Sequence, residues 1–305
     1  MTGLGLAEAY YNEYGRGMLE MDFPELSGSL AVGLIGSGSE CMGFDDEVSR
    51  DHDFEPGFCI FVDDGIDSRQ EFRLERAYAK LPDEFMGFRR QKLSPVGGNR
   101  HGVIRLGDFL ESRTGARTGE LSTQAWLSVP EQSLIEVTNG KVFYDGNGAL
   151  TDARRRLKYM PEDIRNKKLA GCLLMMAQAG QYNYYRAEKR GDEGAALLSL
   201  NEFVRYGIHA IYLLNDIYMP YYKWAFRGMR DLGIMGSEAD AFIRLMKGPA
   251  DAGDMVEDVA GKVIMELKRQ GLTDATCGDL EKHAYSVNDR VKDGGIRNMS
   301  IFAGV

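Results

Sequence analysis

Residues 30–62 read LAVGLIGSGSECMGFDDEVSRDHDFEPGFCIFV, and the fold turns on how this stretch divides. Residues 30–35 form a short apolar run that ends abruptly in Gly36-Ser37-Gly38-Ser39, the pattern of a buried strand running into a tight turn. Glycine lets the backbone approach a ligand closely, and serine hydroxyls with backbone N–H groups hold phosphate oxygens, so the turn reads as a phosphate cradle. A plain surface loop is the commoner use of such a turn. Asp51-His52-Asp53 then leads into residues 58–62, a second strand-like apolar run. Side chains alternate along a strand, which puts Asp51 and Asp53 on one face and His52 on the other. Two carboxylates on one face call for a cation. Hard oxygen donors suit Mg²⁺, which takes one or two carboxylates and completes its shell with water and phosphate. Asp45, Asp46, Glu47 and Glu55 deepen the negative field. A lone Asp-x-Asp is more often a solvated strand end, but the order strand, Gly-Ser, Ser-x-Asp-x-Asp, strand favours a metal-dependent phosphoryl-transfer site.

Gly36-Ser37 followed by Ser49-Arg50-Asp51-His52-Asp53 resembles the signature of the DNA polymerase β-like nucleotidyltransferase superfamily, which includes kanamycin nucleotidyltransferase. The longer string 36–54 is similar to a bacterial branch catalogued as a domain of unknown function. The resemblance implies that Gly36, Ser37 and Ser49 bind nucleotide phosphates and that Asp51 and Asp53 hold Mg²⁺ in a two-metal site. It implies ATP or another NTP as substrate and leaves the hydroxyl acceptor open, a small molecule being favoured over a protein or an RNA end. It also implies a third carboxylate on a neighbouring strand. The segment 102–109 reads as that strand, and Ile104 and Arg105 stand where the acid is expected. Asp108 is then the candidate third catalytic acid, with a turn or a helix N-cap as its ordinary role. Glu111, Glu136 and Asp145 are further candidates.

The chain of 305 residues with 44% hydrophobic content is long enough for two domains. Its net charge of −9 and pI near 5.1 argue against a general nucleic-acid-coating or anionic-membrane protein. Residues 1–150 carry 14 Lys+Arg against 25 Asp+Glu, so the acid is concentrated where a metal is expected. Cys41, Cys59, Cys172 and Cys277 show no zinc-like spacing, and His52, His101, His209 and His283 no metal-like spacing. His209 reads as a core or rim histidine. No apolar run approaches membrane-spanning length, and the expected setting is a reducing cytoplasm.

Helical periodicity covers residues 4–21, 68–80 and 129–137, and a strand is expected at 141–144. The polar, basic stretch at 151–156 marks the expected boundary between a catalytic domain, 1–150, and a helical bundle, 151–305. Helices are expected at about 161–189, 194–216, 220–232, 237–247, 253–270 and 277–291. The predicted class is therefore α+β, a mixed nucleotidyltransferase-type sheet with flanking helices followed by a bundle. Two bundle stretches, 178–192 and 213–224, are rich in tyrosine and cations, and both resemble segments of the same family. By that resemblance Arg186 and Lys223 would neutralise a triphosphate, and Tyr182 or Tyr222 would stack on a base. Interhelical packing is the plain alternative for the tyrosines, and snorkelling the plain alternative for Lys223.

Overall fold

The computed structural model describes residues 1–47, 54–90 and 101–305. The chain divides into two compact units, residues 1–122 with 133–158 and residues 123–132 with 159–305. The architecture is α+β, as the sequence pattern predicts.

The N-terminal unit opens with α1 (Gly3–Tyr10) and α2 (Arg16–Asp22), joined without a break by a π-helical turn over Tyr11–Gly15. Gly15 lies there because a Cβ would collide with the Phe58 ring. Strand β1 (Leu30–Leu34) follows, then the short α3 (Ser39–Met42), β2 (Cys59–Val62), α4 (Ser68–Tyr78), the small hairpin β3 (Glu84–Phe85) and β4 (Phe88–Arg89), β5 (Gly102–Arg105) and α5 (Leu106–Thr114). After α6 (Thr123–Ser128) and α7 (Glu131–Thr138), β6 (Lys141–Asp145) and α8 (Ala149–Leu157) complete the unit.

The sheet order is β5-β2-β1-β6. β1 runs antiparallel to both β2 and β6, whereas β2 runs parallel to β5. A parallel pair needs a crossover connection, which α4 supplies. β1 and β2 are buried along their whole length. Leu30, Val32, Ile60 and Val62 pack with Tyr10, Tyr11, Phe58, Leu74 and Tyr78 into one apolar core. Edge-on ring contacts tighten it, with Phe58 at 5.4 Å from Tyr11 and 5.1 Å from Tyr78.

Two sequence expectations are corrected. The strand expected over 102–109 ends at Arg105, and α5 begins at Leu106. Leu106, Phe109 and Leu110 are spaced as on a helix face, with Phe109 and Leu110 buried. The units also do not meet at a single cut near residue 150. Helix α8 stays with the sheet, since Arg154 donates to the carbonyls of Thr138 and Asn139 at 2.9 and 2.8 Å. Residues 123–132 join the bundle, where α6 packs on α9.

The second unit is helical: α9 (Glu162–Met176), a π-helical segment over Ala177–Tyr184, α10 (Tyr185–Lys189), α11 (Glu193–Leu214), α12 (Tyr222–Arg230), α13 (Ala239–Leu245), α14 (Ala252–Arg269), α15 (Leu280–Asn288) and α16 (Gly294–Arg297). Helix α9 is the central element, packing on both α11 and α15. Asp192 and Asp279 cap α11 and α15 by accepting from Ala195 and Glu281 backbone N–H groups. Among the described residues no helix is long and apolar enough to cross a membrane.

Candidate functional site

The turn after β1 is a built feature of the backbone. Gly36 and Gly38 have φ of 126° and 127°, a region that residues bearing a Cβ rarely adopt. Among the described residues nothing lies within 4 Å of a Cβ placed on Gly36, and its positive φ by itself favours glycine there. The Asn139 side chain brackets the same residue: its Oδ1 accepts from Gly36 N–H at 3.1 Å and its Nδ2 donates to the Gly36 carbonyl at 2.8 Å. Cys41 O accepts from Gly140 N–H at 2.9 Å. The turn is thus fastened to the one that precedes β6. The Gly36 N–H is thus donated to Asn139 Oδ1, and its positive φ shapes the turn. Beyond α3, Asp45 accepts from the Gly3 N–H at 2.7 Å and so closes the start of α1. Ser49, Asp51 and Asp53 lie outside the described residues, as does His52.

The acids considered as a third carboxylate are all accounted for. Asp108 sits in the first turn of α5, exposed, with Arg117 Nη1 at 2.6 Å. Arg117 also meets Glu111 at 2.9 Å and Asp64 at 3.0 Å, and these partners, Asp108 first, raise its pKa. Arg105 donates to the backbone carbonyls of Asp64 and Ile66 and to Glu71 Oε2. Glu136 faces Arg113 at 3.5 Å. Asp145 accepts from Thr151 N–H at 2.7 Å at the start of α8, while its Oδ1 is buried without a partner among the described residues. Asp63, beside it, has its carboxyl pKa raised by burial and then by Asp145 and Asp64, against the Asn147 amide at 2.8 Å, which lowers it. Among the described residues no cluster of three or more His, Cys, Asp or Glu side chains could hold a metal.

In the helical unit the expected nucleotide-binding residues are engaged locally. The Arg186 guanidinium lies 4.9 Å from the Tyr182 ring centre and donates to its hydroxyl at 2.6 Å. Lys223 Nζ lies 5.2 Å from the Trp224 ring centre. Tyr222 is exposed, 4.3 Å from the Tyr221 ring. Of these, Tyr222 alone lines a cavity of about 390 Å³.

That cavity has a charged floor. Glu131 at the start of α7 is 6% exposed. Its Oε1 lies 2.7 Å from His209 Nε2 on α11, and its Oε2 accepts from Met219 N–H at 2.8 Å. The other ring nitrogen, His209 Nδ1, is 3.4 Å from the buried Cys172 Sγ on α9. Burial alone would lower the His209 pKa, but Cys172 and Glu131 outweigh it and raise the value to about 10. Burial likewise pushes Glu131 up, and His209, Lys168 and the Met219 N–H together bring it below its ordinary value. The pair is therefore imidazolium and carboxylate at neutral pH. Lys168 of α9 completes the floor, and Arg205, Tyr206, Tyr221 and Tyr222 stand around it.

Sequence reasoning placed His209 at the core or its rim without a partner, and missed Glu131 and Lys168. A signal was present at 167–174, KKLAGCLL, where two lysines inside α9 lead into an apolar run.

Residues 126–225 match a family described as a domain of unknown function (DUF4037). No curated protein matches the chain. The matched segment contains every residue that lines the cavity except Gly304 and Val305.

Proposed function

We propose that the protein is a Mg²⁺-dependent nucleotidyltransferase that moves a nucleoside monophosphate, AMP from ATP, to a hydroxyl of a small acceptor. The observation that carries this reading is the turn at Gly36–Gly38. It leaves the end of a buried strand in a glycine-only conformation, is held from behind by Asn139, and is flanked in the sheet by β2, the strand that follows the Asp51/Asp53 pair. The donor chemistry of Asp51 and Asp53, two hard carboxylates, fits Mg²⁺. Bound there, the ion would supply charge neutralisation for the triphosphate. In the reaction the acceptor hydroxyl oxygen forms a bond to the α-phosphorus, the bond to the bridging oxygen breaks, pyrophosphate leaves and the hydroxyl proton passes to solvent or a base. The role of the chain is to fix the phosphates in line: the Gly36 turn sets the path of the backbone, and Ser37 and Ser49 offer hydroxyls.

A second reading is a regulatory protein that binds the nucleotide on the same scaffold without turning it over. What favours it is Arg105, which stands on β5 paired to Glu71 where the resemblance calls for an acid. Two measurements made side by side separate the readings: pyrophosphate release from ATP and Mg²⁺ across a panel of hydroxyl acceptors, and calorimetry with a non-hydrolysable ATP analogue. Acceptor-dependent release is the expected result. Tight binding with no release across the panel assigns the regulatory role, and absence of both refutes nucleotide chemistry.

A further inference from the structure

Lys167 and Lys168 are neighbours on α9 and both are buried, yet their ammonium groups end differently. Lys167 Nζ donates to Asn288 Oδ1 at 2.8 Å and to the carbonyls of Met299 and Arg297 at 2.8 and 3.1 Å, which uses all three of its protons. Among the described residues Lys168 makes no such contact. Glu131 Oε1 lies 3.7 Å from its Nζ, beyond hydrogen-bond reach, and both Glu131 oxygens already accept from His209 and Met219. Only 4% of the Lys168 side chain is exposed, and it lines the cavity.

Lys168 therefore lines the cavity with an ammonium whose partner Glu131 stands at ion-pair rather than hydrogen-bond distance, so it has protons to donate to an acceptor that enters from the cavity. Among the described lining residues cations outnumber acids: Lys168, Arg205 and the His209 imidazolium stand against one carboxylate, Glu131, although Arg205 also pairs with Glu202 at 2.9 Å. Both His209 nitrogens are engaged, so the imidazolium contributes field rather than hydrogen bonds, and Lys168 is the donor. Tyr221 and Tyr222 provide ring surface at the same opening. A volume of about 390 Å³ falls within the range of small-molecule sites.

We propose that this cavity binds a small organic anion, a carboxylate or phosphate ester carrying a planar ring, whose charged group meets Lys168 while its ring lies along Tyr221 and Tyr222. The site lies within the helical unit and requires neither Mg²⁺ nor nucleotidyl transfer.

The test is an NMR or calorimetric titration of the full chain with phenyl phosphate and benzoate, and with phenol and benzamide as neutral counterparts. At least one anion is expected to bind and the neutral compounds to bind at least ~10-fold more weakly. Which anion binds distinguishes a phosphate from a carboxylate ligand. Lys168→Met, which keeps the stem and removes the charge, is expected to weaken binding at least ~10-fold. Tyr222→Ala, at an exposed position where folding is not in question, is expected to weaken it about 3-fold. Failure of both anions to bind the wild-type chain, equal binding of the neutral compounds, or unchanged affinity in folded Lys168→Met overturns the proposal. Should Lys168→Met not fold, wild-type discrimination between anion and neutral ring, together with Tyr222→Ala, decides it.

Discussion

In the N-terminal unit the turn after β1 carries its information in the backbone. Two glycines hold positive φ, and one asparagine amide fixes the first of them from both sides. In the helical unit the cavity floor carries its information in buried charge, where Glu131, His209 and Lys168 are assembled from three helices. The first arrangement needs small residues at fixed sequence spacing and one distant clamp, Asn139. The second needs packing, because no helix alone brings these groups together. A backbone device tolerates little change in residue type but sheds little stability when altered. A buried charge pair responds the other way: removing one partner leaves the other uncompensated in a low dielectric.

Perturbations that separate the two can be ranked by expected size. Asp51→Asn is expected to lower Mg²⁺-dependent pyrophosphate release by about 10³-fold or more while far-UV circular dichroism stays unchanged. Retained turnover contradicts the assignment of that carboxylate. Glu131→Ala is expected to destabilise the chain by about 3–5 kcal/mol in urea denaturation, because it strands the His209 imidazolium; a loss under about 1 kcal/mol would show that the pair is solvated.

The same pair predicts a pH window. His209 is raised in the folded state, so its contribution is complete below its ordinary value of 6.5 and lost as pH rises through about 10. Glu131 is lowered, so its contribution is present above its ordinary value of 4.5 and lost as pH falls through the depressed one. Stability measured across pH should therefore fall at both ends and flatten in Glu131→Gln. An imidazole ¹⁵N spectrum of His209 that titrates near pH 6.5 refutes the raised value.

Smaller effects are expected in the turn. Asn139→Ala should cost about 1–3 kcal/mol through the two lost hydrogen bonds to Gly36, and Gly36→Ala about 1–2 kcal/mol through its positive φ; thermal denaturation of the two variants checks both. Smallest is Asp108→Asn. The carboxylate is exposed and already paired with Arg117, so turnover should change less than about 3-fold. A loss beyond about 10²-fold would restore Asp108 as the third acid.

What the sequence disclosed follows the same division. The strand ending in Gly36-Ser37, the crossover helix and the bundle were legible because turn glycines and helical periodicity are local signals. The end of β5 was misread because residues 102–109 are mostly apolar, broken only by Arg105 and Asp108, although Phe109 and Leu110 already follow helical spacing. Asn139 gave no warning of its role: an Asn-Gly pair before a strand is ordinary turn chemistry, and its partner lies 103 residues away. Glu131 and His209 are 78 residues apart, and neither belongs to a motif. Arg186 and Lys223 were legible as cations among aromatics, and the structure engages both with their own neighbours, Tyr182 and Trp224.

The central claim, that the segment from Gly36 to Asp53 handles a metal-bound nucleotide, is tested most directly by calorimetric titration of a non-hydrolysable ATP analogue. The titration is run with and without Mg²⁺, on the wild-type chain and on Asp51→Asn and Asp53→Asn. The account predicts binding that requires Mg²⁺ and is lost in both variants. Binding that is indifferent to Mg²⁺ and unchanged by either substitution would contradict it.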